Sequence, residues 1–94
     1  GIGMALMEHT EIDHRIGRIM NPNLAGYHVP VNADIGSIET IFVPEEDTIV
    51  NPLGAKGLGE LGLVGIPAGI ANAVYHATGI RVRDLPITPD KLAG

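Results

Sequence analysis

Residues 54–79 read GAKGLGELGLVGIPAGIANAVYHATG, and this stretch decides what the chain can fold into. Gly54, Gly57 and Gly59 recur too closely for regular structure, so the beginning reads as a loop. From 60 to 78 the pattern predicts a helix, with Gly79 as its C-cap. The helix is apolar on most of its circumference, which predicts burial inside a soluble protein. A membrane span is disfavoured, because Gly62, Gly65, Pro67 and Gly69 interrupt a stretch just short of bilayer length that also carries Asn72 and His76. Gly65 and Gly69, with Ala68, Ala71 and Ala73 nearby, predict close approach of another backbone.

Working outward, residues 37–43 (SIETIFV) place Ile38, Thr40 and Phe42 opposite Glu39, Ile41 and Val43, which predicts a strand ended by Pro44. Residues 45–59 form a long loop, acidic at its start and glycine-rich at its end. Residues 21–30 hold two prolines and two asparagines and read as irregular. Residues 11–20 (EIDHRIGRIM) predict a hairpin in which Gly17 supplies a positive φ. Ile2, Met4, Ala5, Leu6 and Met7 read as the last turns of a helix. Beyond Gly79, a short strand from Arg81 leads to Pro86, and Thr88 as N-cap with Pro89 after it predicts a final helical turn. The order of hairpin, strand, glycine-rich loop and helix gives an α+β fold in one unit, 1–94.

Composition points to a part of something larger. The chain has 94 residues, 45% of them hydrophobic, with one Phe, two Tyr and no Trp. A unit this small buries little of its apolar surface without support. It has no cysteine, so disulfides, thiolate zinc sites and iron–sulfur ligation within it are excluded. The net charge of −5 and the scattered Lys and Arg give no nucleic-acid footprint. The opening GIGMALMEH has neither the basic start nor the cleavage pattern of a signal peptide. The expectation is a fragment of a longer chain. The competing one is a stand-alone, non-catalytic module whose apolar helix is satisfied by self-association.

Chemistry concentrates in GAKGLGE, residues 54–60, which supports three readings. Glycines before a helix expose N–H groups to anions, as in phosphate loops. However, Lys56 is not followed by Ser or Thr, and the Walker spacing is absent. Alternatively, the glycines only turn the chain, with Glu60 favoured near a helix start. The third reading is an active-site loop with Glu60 at its end.

The order GIGMALME, NPNLAGYHVPVNADI, NPLGAKGLGE, NAVYHATG, LPITPDKL closely resembles the C-terminal part of the molybdopterin-binding large subunit in the xanthine dehydrogenase and aldehyde oxidoreductase family. The resemblance covers essentially the whole chain. Within the family it is most similar to bacterial aldehyde-oxidoreductase-type subunits. One departure is Gly26, where many relatives place an acidic residue before Tyr27.

The resemblance implies that Glu60 is the general base for a molybdenum-bound hydroxyl, in an enzyme oxidising aldehydes or N-heterocycles with water-derived oxygen. It implies that Lys56, Gly57, Leu58 and Gly59 run beside the cofactor, a molybdenum–molybdopterin cytosine dinucleotide. No residue of this chain is implied as a metal ligand. The implied partners are the remainder of the subunit, iron–sulfur and FAD subunits or domains, and a small aldehyde or heterocycle. The segment alone is expected to be inactive. Glycine at 57 and 59 would let backbone N–H groups reach a cofactor. At Glu60, a helix start favours the charged carboxylate, whereas apolar Leu58, Leu61, Leu63 and Ile66 oppose it.

Other residues read as structural. His9, His14, His28 and His76 have no ligand-like spacing. Glu45, Glu46 and Asp47 read as a solvated loop, and Asn72 is expected to hydrogen-bond a neighbouring loop.

Overall fold

The computed structural model describes residues 1–93. Helix α1 spans Ile2–Leu6, strand β1 Ile12–Asp13, strand β2 Arg18–Ile19 and helix α2 Ile66–Thr78. Single 3₁₀ turns cover Asn32–Asp34, Glu60–Leu63 and Pro89–Leu92.

Where local interactions suffice, the predicted elements form. The hairpin pairs Ile12 with Ile19 and Asp13 with Arg18 in antiparallel register. Gly17 closes its turn at φ 62°. Asn21 ties the base of the hairpin, accepting from the Glu11 N–H at 2.9 Å and donating to the His9 carbonyl at 2.7 Å. The Arg15 guanidinium, bonded to Asp13 at 2.7 Å, holds that carboxyl below the ordinary aspartate range. Helix α2 ends as expected: Gly79 takes φ 75°, a left-handed conformation costly for other residues, and its N–H bonds the Tyr75 carbonyl. Thr88 precedes the last 3₁₀ turn and Pro89 opens it.

The small core lies where α1 meets the tail. Gly3, Ala5, Pro86 and Ile87 are buried, and the Ile87 N–H donates to the Ala5 carbonyl at 2.6 Å. Gly3 is required here by close approach, since a Cβ would lie 2.6 Å from Pro30 Cδ. Helix α1 also packs on α2.

Beside this core, the Tyr27 hydroxyl donates to Glu8 Oε2 at 2.9 Å, and that bond raises the Tyr27 pKa. A phenol whose pKa is raised by folding contributes stability below its unfolded pKa, and the contribution is lost as pH rises through the folded value. In a Tyr75→Phe background, absorbance titration of Tyr27 should therefore show a midpoint above the ordinary tyrosine value. Glu8→Gln should bring it back down.

Elsewhere the structure corrects the sequence expectations. Residues 37–43 form no strand, and neither does the segment after Gly79. A strand is stabilised by a hydrogen-bonded neighbour, and among the described residues none lies beside either segment. The predicted helix over 60–78 is divided: the 3₁₀ turn Glu60–Leu63 is separated from α2 by Val64 and Gly65. Glu60 therefore does not sit at the start of the long helix. Nor is α2 buried: none of its residues is fully covered, and only Pro67, Ile70, Ala71 and Val74 are half-buried. No described backbone approaches Gly65 or Gly69, since a Cβ at either would meet open space. The expected Asn72 bond forms with the segment following α2: Arg81 donates to Asn72 Oδ1 at 2.8 Å and lies over the Tyr75 ring.

These corrections share one cause. The radius of gyration is 17.9 Å, against about 12 Å for a compact chain of this length. The accessible surface is 7833 Å², against roughly 5,200 Å² for a compact monomer of this mass. Large apolar side chains are among the exposed groups, with Ile49 96% and Leu53 91% exposed. No described helix is long and apolar enough to cross a membrane.

Candidate functional site

The glycine-rich segment leaves a loop that is bonded to itself and runs free up to Glu60. Residues 47–55 hold one another through the side chains of Asp47 and Asn51. Beyond them, the backbone N–H groups of Lys56, Gly57, Leu58 and Gly59 donate to no acceptor among the described residues. All four residues are exposed. They present a short row of unused donors, as a segment facing a polar ligand requires.

The Lys56 side chain is not part of that row. Its ammonium pairs with Glu45 at 2.5 Å and with Asp47 at 3.6 Å. Ion pairs this exposed contribute at most about 1 kcal/mol. The acidic run is therefore engaged with Lys56 through two of its members, where a solvated loop was expected. What Lys56 leaves available to a ligand is its backbone N–H.

Glu60 opens the 3₁₀ turn Glu60–Leu63 and is exposed. Its carboxylate makes no hydrogen bond or ion pair among the described residues. The expected apolar enclosure is absent, because Leu58 is 69% and Leu61 65% exposed. Both leucines line an open depression of about 590 Å³ together with Thr40, Ile41, Phe42, Gly57 and Gly62. The structure thus brings the end of the glycine segment beside residues 40–42. Among the described residues no side chain engages the Glu60 carboxylate, which is left open to a ligand.

His9, His14, His28 and His76 do not come together, and among the described residues no three His, Asp or Glu side chains are grouped as metal ligands. The residues missed by sequence reasoning are Asp47 and Asn51. For Asn51 the signal was present in Asn51-Pro52-Leu53-Gly54, an Asn that opens a turn three residues before a glycine able to take positive φ.

No family profile matches the chain. Individual relatives do. Over 92 residues it is 60% identical to the aldehyde oxidoreductase molybdenum-binding subunit PaoC of Escherichia coli (strain K12), covering 98% of this chain and 13% of the relative. Over 92 residues it is 41% identical to the xanthine dehydrogenase molybdenum-binding subunit of Escherichia coli O157:H7, covering 98% of this chain and 12% of the relative. The nicotine 6-hydroxylase large subunit of Paenarthrobacter nicotinovorans is 34% identical over 95 residues, covering 98% of this chain and 11% of the relative. The chain thus spans about an eighth of the length of the curated relatives it matches. At 60% identity over nearly its whole length, it is a homologue of a short segment of the molybdenum-binding subunits of the aldehyde oxidoreductase and xanthine dehydrogenase family.

Proposed function

We propose that this chain is the part of a molybdenum hydroxylase that supplies the general base, Glu60, and one backbone wall of the cofactor site. The observation that carries this proposal is the 60% identity to an aldehyde oxidoreductase molybdenum-binding subunit across 98% of the chain. The structure supplies a local reason for the residue roles. Glu60 is exposed and unengaged, and it directly follows a segment whose N–H groups have no intrachain partner.

Those free N–H groups fit a pterin dinucleotide, whose ring and phosphate oxygens accept hydrogen bonds. In that arrangement Lys56, Gly57, Leu58 and Gly59 hold the cofactor through the backbone, and the Lys56 ammonium stays with Glu45 and Asp47. When bound, the molybdenum cofactor supplies the two-electron oxidation of an aldehyde or N-heterocycle. Glu60 takes up the proton released as oxygen is transferred. It must stand about 2.6–3.2 Å from that proton's donor atom, directly or through one water. The large exposed apolar surface is covered by the remainder of the subunit, and iron–sulfur and FAD partners carry electrons away. The segment on its own is inactive, since a row of backbone donors cannot retain a large cofactor.

Metal and pterin analysis of the assembled complex tests the proposal, followed by turnover of aldehydes and heterocycles with an artificial electron acceptor. Stoichiometric molybdenum with turnover of either class is the expected result. A complex that purifies intact without molybdenum or pterin would overturn it.

A further inference from the structure

Between Gly36 and Gly62 every residue is exposed except Asp47, Asn51 and Gly54, and these three lie in one knot. Asn51 Oδ1 accepts from the N–H groups of Leu53 and Ala55, both at 3.1 Å. Its Nδ2 donates to the Ala55 carbonyl at 2.6 Å, and its own carbonyl accepts from the Gly54 N–H at 3.0 Å. Gly54 sits at φ 64°, its Cβ position 3.5 Å from the Asp47 carbonyl. Asp47 Oδ1 accepts from the N–H groups of Ile49 and Val50 at 3.0 and 3.2 Å. Lys56 closes the knot through its ion pairs to Glu45 and Asp47.

The knot ends at Lys56, the residue before Gly57. From there to Glu60 no backbone N–H is bonded among the described residues. On the N-terminal side of Glu60, the knot is therefore the last hydrogen-bonded anchor among the described residues. We infer that Asn51 is a positioning residue for Glu60: its amide fixes the origin of the glycine segment and hence the placement of the carboxylate. This rests on Glu60 acting as the base. Asparagine suits the task because one side chain must accept from two N–H groups and donate to a carbonyl at once. Aspartate keeps the acceptor and loses the donor, and alanine loses both.

The test uses the assembled holoenzyme. Asn51→Ala should lower kcat on the order of 10²-fold, the scale of a misplaced catalytic group. KM and molybdenum content should stay near wild type. Amide hydrogen exchange at Leu53, Gly54 and Ala55 should quicken by about tenfold or more as their bonds to Asn51 are lost or loosened. Asn51→Asp should fall between wild type and Asn51→Ala in both kcat and exchange. Gly54→Ala, which strains the same turn without touching the amide, should reproduce the kcat loss in milder form should Asn51→Ala fail to accumulate. Wild-type kcat alongside quickened exchange would overturn the inference, as would a kcat loss matched by lost molybdenum. Glu60→Gln separates the two failures. If that variant is active, the assignment of the base is wrong; if it is inactive while Asn51→Ala turns over normally, only the positioning role is wrong.

Discussion

Replacing Glu60 by Gln in the full-length subunit should lower turnover by about 10²–10⁴-fold, the range for loss of a general base, while leaving bound molybdenum in place. The side chain keeps its size and its oxygen, so the 3₁₀ turn that Glu60 opens has no steric reason to change. Glu60 also makes no hydrogen bond or ion pair among the described residues, so the substitution breaks none within the chain. What disappears is the negative charge that, in the proposed role, takes up a proton. Steady-state kinetics with parallel metal analysis checks the outcome. Near-normal turnover at full molybdenum would remove Glu60 from this role.

Ile87→Ala should destabilise the subunit by about 2–5 kcal/mol, read as a shift in denaturant midpoint at unchanged slope. Ile87 is 4% exposed against Ala5, which is fully buried, and its N–H bonds the Ala5 carbonyl. The methyl and methylene groups removed are therefore already in contact within this chain. Leu53→Ala provides the comparison. Leu53 is 91% exposed here, and left in water the change would cost no more than about 0.5 kcal/mol. If the remainder of the subunit covers this surface, Leu53→Ala in the assembled protein will instead approach the cost of Ile87→Ala. A small effect at Leu53 would show that its side chain remains in solvent. Sedimentation of the 94-residue chain addresses the self-associating module: a monomer at working concentrations would count against it.

The two substitutions divide along a line already visible in the sequence. The expectation that Glu60 is a site residue came only from a resemblance spanning the chain, because a carboxylate after glycines is by itself a common string. Its exposure, and the engagement of Lys56 with Glu45 and Asp47, could not be read, since both depend on how residues 45–60 fold back on themselves. Asn51 carried a local turn signal, yet its several bonds are visible only once Ala55 returns beside it.

By itself, the sequence determined the features that depend on a few neighbouring residues: helix α1, the hairpin turned at Gly17, the C-cap at Gly79 and the turn opened by Pro89. Each is specified by backbone dihedral preferences and by hydrogen bonds between residues close in the chain. The tertiary structure decided what depends on distant partners. Residues 37–43 have a strand's alternation but no neighbouring strand, and α2 has the composition of a buried helix but little to bury it. Sequence pattern states which surface must be covered; only packing supplies the cover, because strand pairing and hydrophobic burial are completed by atoms far away in sequence.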